Sequence, residues 1–204
     1  MKNPELHTEQ WQPVRRGISK EALVVILTLA GLPLQDWDQG TAKTIEHLRT
    51  EIAEGESQIV ISKTGEVRRQ AGVARIDVIH PAASGELYIL KEDRQEFADG
   101  RVRKRQLSTS LGEKMKPHEE PIAAAERAIS EELGINEIVG LYNLGAEEIV
   151  HVSESYPGLK SYLKTHLFAA IISPESFVPE GYIEEQDDKK NYYVWDSVET
   201  NKSS

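Results

Sequence analysis

Apolar residues change their period once along this chain, and that change limits what it can fold into. Between residues 20 and 54 they recur at helical spacing, whereas from Gln58 onward they fall into short β-type runs separated by turn residues. Helices followed by strands predict an α/β or α+β fold, a mixed sheet preceded by an N-terminal helical hairpin. Ser19 suits the N-cap of a helix beginning at Lys20, with Ala22, Val25, Ile26, Leu29 and Ala30 at helical spacing and Gly31 to Pro33 as its stop. A second helix is predicted over residues 41 to 54, with Ile45, Leu48 and Ile52 on one side and Gly55 as the left-handed residue after its end.

The β-region opens with Ile59, Val60 and Ile61, turns at Thr64-Gly65, and continues over residues 73 to 79 and 86 to 90. Asp99-Gly100 marks a hairpin leading into a strand over residues 101 to 108. Further strands are predicted at residues 138 to 144, 147 to 152, 163 to 172 and 192 to 195, with a polar tail over 199 to 204. The expected organisation is a helical extension (1–55), a sheet domain (56–198) and the tail (199–204). That suits a 204-residue chain, which has room for a domain of about 150 residues and an appendage.

Composition narrows the chemistry. The chain is 39% hydrophobic and 28% charged, so a packed core is expected. A net charge of −10 repels nucleic-acid phosphates, so no bulk nucleic-acid binding is expected, and an anionic substrate needs local basic residues or metal ions. With no cysteine there is no disulfide, zinc thiolate site or thiol nucleophile. Residues 1 to 10 are polar and lead into no apolar signal core, and the longest apolar run, residues 22 to 34, is too short and interrupted to span a bilayer. A cytoplasmic protein without a membrane partner is the expectation.

Residues 111 to 135 carry most of the information. Pro121 suits a first helical turn, Glu119 and Glu120 place negative charge near its positive end, Ile122, Ala125, Ile129 and Leu133 form an apolar stripe, and Gly134 ends the helix. This much describes any amphipathic helix. The stretch Arg127-Ala128-Ile129-Ser130-Glu131-Glu132-Leu133-Gly134-Ile135, with Glu119 eight residues before Arg127, resembles the Nudix box, G-x5-E-x7-R-E-U-x-E-E-x-G-U with U a bulky aliphatic. Two positions depart from it. Glu113 stands where the box has its first glycine, and Ala128 stands where it has a metal-binding glutamate.

The resemblance implies metal-dependent hydrolysis of a diphosphate linkage in a nucleoside diphosphate derivative, with Mg²⁺ or Mn²⁺ as cofactor. Clustered carboxylates suit that chemistry, because the cation they hold neutralises phosphate oxygens and activates water. By the same resemblance Glu131 and Glu132 are catalytic residues and metal ligands, Glu119 is a further ligand, and Arg127 and Gly134 support them, with Arg127 orienting the glutamates by ion pairing. Position 128 lies beside Glu131 and Glu132 on the helix, so Ala128 withdraws a carboxylate from the cluster, and an acid restored there is expected to strengthen cation binding. Glu126 points elsewhere; the candidates to complete the set are Glu147, Glu148, Glu154, Glu184, Glu185, Asp187 and Asp188.

The opposing reading of Glu131 and Glu132 is a solvated acidic face, and the opposing function is a catalytically degenerate Nudix domain that binds a nucleotide or a protein partner. Arg101, Arg103, Lys104 and Arg105, with Arg68 and Arg69, read better as charged strand edges than as a phosphate site. His118 and His166 read as a loop and a core histidine, and Tyr192, Tyr193 and Trp195 as core and rim aromatics. Substrate-binding residues are not assigned. The N-terminal hairpin has three roles open to it: a homodimer contact, a lid, or additional core.

Overall fold

The computed structural model describes residues 11–104 and 109–198; the predicted polar tail, the first ten residues and Arg105 lie outside the described residues. In chain order the elements are β1 (Gln12–Pro13), α1 (Lys20–Leu29), α2 (Ile45–Glu54), β2 (Gln58–Ile61), β3 (Val67–Pro81), β4 (Leu87–Phe97), β5 (Val102–Arg103), β6 (Leu111–Lys114), α3 (Pro121–Leu133), β7 (Ile138–Val152), β8 (Lys160–Ile172), β9 (Tyr182–Glu185) and β10 (Lys189–Val198). The chain divides into two compact units, Met1–Gly72 with Glu148–Lys164 and Val73–Glu147 with Thr165–Ser204. Among the described residues no helix is long and apolar enough to cross a membrane.

In the first unit the Ser19 side chain accepts from the Ala22 N–H at 3.2 Å and so fixes the predicted start of α1. The buried face overlaps the expected one only at Ile26 and Ala30, which pack on the core in part. Leu23 and Leu27 are fully buried, while Val25 and Leu29 are 55% and 83% exposed. Residues 22 to 27 and 29 to 30 are all apolar, so spacing alone could not choose a face; packing with Trp37, Leu48, Ile52 and Ile59 does. Helix α2 begins at Ile45, four residues later than predicted. There Thr44 and His47 form a reciprocal cap, each side chain accepting from the other's backbone N–H at 3.1 Å. Gly55 ends it in the left-handed region, at φ 80°. Strand β2 pairs antiparallel with β1 and with the start of β3, Ile61 facing Val67 across the turn at Gly65.

The first unit also buries a charge. Glu51 is 5% exposed, and its carboxylate accepts from Lys43 Nζ (2.9 Å), Ser57 Oγ (2.8 Å), Arg69 Nη2 (2.9 Å) and the Tyr156 hydroxyl (3.0 Å). Four donors on two oxygens offset the desolvation that an isolated carboxylate would suffer here.

In the second unit β3 pairs antiparallel with β4 at its C-terminal end, Ile79 opposite Ile89, and with β6 further back, Arg75 opposite Gly112. Strand β10 pairs along β4 with a bulge between Tyr192 and Tyr193, and pairs with β9 on its other side. The hairpin predicted at Asp99-Gly100 is present, with Gly100 at φ 85°. Strands β6 and β9 were not foreseen, and β7 is one strand where two were predicted. Ala74, Ile76 and Val78 alternate into a core shared with Leu90, Leu111, Phe168, Ala170, Ile172 and the apolar face of α3. Fully burying a leucine or isoleucine contributes about 1.5–3 kcal/mol each, so this layer holds α3 in place. The expected α/β architecture, a sheet with the box helix packed on it and a helical hairpin ahead of it in sequence, is present.

Candidate active site

Helix α3 spans Pro121–Leu133, as predicted, with Pro121 in its first turn. Gly134 follows at φ 70°, where its N–H donates to the Ser130 carbonyl at 3.0 Å. The buried residues are Ala124, Ala125, Ala128, Ile129 and Leu133, whereas Ile122, expected in the stripe, is 48% exposed. In the first turn an outward-leaning side chain finds no neighbouring layer, so Ala124 and Ala128 supply the close contact instead. Ala128 is 1% exposed and belongs to the apolar core. The residue standing at the box's metal-binding position therefore fills space between helix and sheet.

Arg127 organises the polar face. Its Nε and Nη2 bond both oxygens of Glu119 (2.8 and 3.0 Å), Nη1 bonds Glu113 Oε1 (2.7 Å) and lies 3.3 Å from Glu131 Oε2, and Nη2 also donates to the Lys114 carbonyl (2.9 Å). One guanidinium thus joins β6, the loop after it and α3. Glu119 accepts in addition from the Lys116 N–H at 2.7 Å, and Arg127 holds its carboxyl below the ordinary glutamate range. Among these acids Glu131 is the open one, its side chain 59% exposed.

Glu132 is in a different state. Burial pushes its carboxyl up to about 7, with the negative charges of Glu184, Glu113 and Glu92 adding to the rise, while a 2.5 Å hydrogen bond from the Tyr193 hydroxyl opposes it. The same burial raises the Tyr193 phenol. Strand alternation places Lys189, Asn191 and Tyr193 on one face of β10, beside Gln95 and Glu92 of β4 and Glu184 of β9. These residues and the acidic edge of α3 line a cavity of about 640 Å³, a volume within the range of small-molecule sites. Its walls carry Glu92, Glu113, Glu131, Glu132 and Glu184. At its base Gln95 Nε2 donates to Asn191 Oδ1 at 2.8 Å, and Asn191 donates on to Glu184.

Of the sequence-derived candidates, Glu131 and Glu132 line this cavity, and Arg127 and Glu119 stand behind them. Of the seven acids offered to complete the set, Glu184 alone is among the lining residues. The basic group is engaged elsewhere: Arg101 pairs with Asp99 at 2.7 Å, Lys104 lies 3.7 Å from Asp93, Arg69 holds Glu51, and Arg68 stacks on Trp11 and Tyr162. His118 is a loop residue at φ 62°, and His166 lies on β8. Reading the sequence missed Glu113, Glu92, Arg75 and Lys189. A charged residue alternating with Ala74 and Ile76 was the available signal for Arg75; Glu113 was passed over as a lost glycine.

No protein-family profile and no curated protein matches this chain. It is similar to several solved structures. An Ap4A hydrolase of C. elegans matches at 16% identity, covering 61% of this chain and 78% of that one, with a TM-score of 0.36. A MutT/nudix family protein from Enterococcus faecalis matches at 14% identity over 65% of this chain and 46% of that one, with a TM-score of 0.44. The NUDIX domain of Shewanella oneidensis NrtR, complexed with ADP ribose, matches at 11% identity over 62% and 71%, with a TM-score of 0.38. The residues that carry the resemblance to the Nudix box lie in the loop before α3 (Glu119), on α3 (Arg127, Glu131 and Glu132) and at its C-cap (Gly134).

Proposed function

We propose that this chain hydrolyses a diphosphate linkage in a nucleoside diphosphate derivative, using Mg²⁺ or Mn²⁺. The observation that carries the proposal is Glu132, a largely buried carboxylate raised to about 7 by burial and by three neighbouring acids, on the wall of a cavity of small-molecule size. A cation would offset that repulsion. The donors are carboxylate oxygens, the hard ligands these ions prefer. Among the described residues no three acidic or histidine side chains converge closely enough to hold an ion on their own. Mg²⁺ asks for less, binding through one or two carboxylates and completing its shell with water and substrate oxygens. Glu131 and Glu132 would supply those carboxylates.

When bound, the cation supplies positive charge to the phosphate oxygens and makes a water more acidic. The chain's own residues do the remainder. Glu131 and Glu132 would hold the ion, and Glu184 across the cavity would take the proton of an attacking water. Arg127 fixes Glu113 and Glu131, and Glu119, with both oxygens on Arg127, acts through that arginine and not as a ligand. Gly134 ends the helix so that Glu131 and Glu132 occupy its last turns.

A second reading is a Nudix-type domain that binds a nucleotide without turning it over. Ala128 buried in the core favours it, since no acid approaches the cavity from that position. Cation titration, followed by assay of phosphate or nucleoside monophosphate release from diphosphate compounds, separates the two, with Ap4A and ADP ribose in the first panel. Release that depends on the cation and on Glu132 supports hydrolysis; nucleotide binding without release supports the second reading.

A further inference from the structure

The cavity is acidic by five glutamates, yet it also contains two cations that none of those acids engages. Arg75 lies on β3 between Ala74 and Ile76, which point into the core, so alternation turns its side chain to the cavity. It is half-buried, and among the described residues its guanidinium has no hydrogen bond, ion pair or ring partner. Its sequence neighbours Arg68 and Arg69 are both engaged, one between aromatic rings and the other on Glu51. Opposite Arg75 across the ladder is Gly112, and a Cβ placed there would meet nothing within 4 Å, so that flank is open. Lys189, on β10, has no side-chain partner among the described residues either. It begins the row that continues through Asn191 to Tyr193, about 13 Å from Tyr193 along the strand at roughly 3.3 Å per residue.

A half-buried guanidinium with no partner carries a desolvation cost that a bound anion would offset, and its planar fork matches phosphate oxygens in pairs. We propose that Arg75 anchors the phosphates of a nucleoside diphosphate in this cavity, with Lys189 as a second, distal cation for the same ligand. The proposal rests on the reading of the cavity as a diphosphate site but does not require turnover. Charge is divided along the cavity: the acids on α3 require a metal before they can meet a phosphate, whereas Arg75 needs none.

The test is calorimetric titration of the full chain with ADP and with adenosine, without divalent cation, for wild type, Arg75→Ala, Arg75→Lys and Lys189→Ala. Circular dichroism confirms folding of each. Wild type should bind ADP and bind adenosine more weakly; Arg75→Ala should weaken ADP about tenfold or more, Arg75→Lys should recover part of that loss, and Lys189→Ala should cost about threefold. ADP affinity unchanged in folded Arg75→Ala overturns the proposal, as does a wild type that binds ADP no better than adenosine. ADP binding that depends on Arg75, without hydrolysis of any diphosphate in Mg²⁺ or Mn²⁺, removes the hydrolase reading and leaves this one standing. Hydrolysis whose KM ignores Arg75→Ala does the reverse.

Discussion

Glu51 and Glu132 are both drawn out of bulk water, one buried and the other half-buried, and their surroundings differ in kind. Glu51 is met by a lysine, an arginine, a serine and a tyrosine, all within 3.0 Å. Glu132 receives one hydrogen bond, from Tyr193, and looks onto a cavity where other acids repel its charge. A fully satisfied buried carboxylate is a structural joint, since its charge is balanced in place and little remains for a ligand to gain. An under-satisfied one facing a cavity is poised to take up a proton or a cation. Burial alone does not separate the two. What separates them is the count and sign of the partners.

The largest effect is expected from breaking the satisfied site. Arg69→Met leaves Glu51 buried without its most enclosed counter-charge and should lower stability by about 3–5 kcal/mol in urea denaturation, toward the lower figure because Lys43 remains. A loss under about 1 kcal/mol would show that Glu51 is not the joint described here.

At the other site the same kind of disruption should spare stability and remove chemistry. Glu132→Gln keeps the shape and the Tyr193 contact but discards the charge. Turnover of any cleaved diphosphate should fall about 100-fold or more, equivalent to about 2.7 kcal/mol of barrier, with weaker Mn²⁺ binding by calorimetry. A folded Glu132→Gln protein that retains the wild-type rate removes Glu132 from the mechanism.

The pH dependence sharpens the comparison further. The ordinary glutamate value is 4.5 and folding raises that of Glu132 to about 7, so between these values the native state binds the proton more tightly than the unfolded chain does. Stability is then greatest below about pH 4.5 for this group and is lost as pH rises through 7, by on the order of 1–3 kcal/mol. Urea midpoints at pH 5 and pH 8 measure it. Glu132→Gln should flatten that part of the profile, and saturating Mn²⁺ should reduce the loss at high pH by competing with the proton.

How far this contrast could be read from the sequence depends on where the partners come from. The box helix was legible because its signals are local: Pro121, the spacing from Arg127 to Glu132, and Gly134 all act within a few turns. Glu51 carried no signal, since an acid on an amphipathic helix resembles a surface residue, and two of its partners, Arg69 and Tyr156, lie 18 and 105 residues away. The buried face of α1 was misjudged because an apolar run offers several equally spaced stripes. Glu113 was read as a loss when it is a gain, an acid brought by β6 onto Arg127. Strand β9, which carries Glu184, is only four residues long and has no alternation long enough to detect.

The smallest effect comes from a matched pair of substitutions, because Glu51 and Glu132 each have one tyrosine hydroxyl donating to them. Tyr156→Phe removes one of at least four donors from Glu51; Lys43, Ser57 and Arg69 keep the charge balanced, so the loss should appear as about 1 kcal/mol of stability and as nothing else. Tyr193→Phe removes the one hydrogen bond that favours the charged form of Glu132, against burial and three acids that oppose it. The carboxyl should then hold its proton to higher pH. Because a cation must displace that proton, the pH of half-maximal Mn²⁺ binding should rise, by up to about one unit if the bond is worth about 1.4 kcal/mol to the ionised state. Stability near pH 5, where Glu132 is already protonated, should change by no more than about 1 kcal/mol. Calorimetric Mn²⁺ titrations at pH 6, 7 and 8 on both variants read the difference: a shift in Tyr193→Phe and none in Tyr156→Phe separates a poised carboxylate from a balanced one. Equal pH profiles in the two variants would mean that Tyr193 does for Glu132 only what Tyr156 does for Glu51.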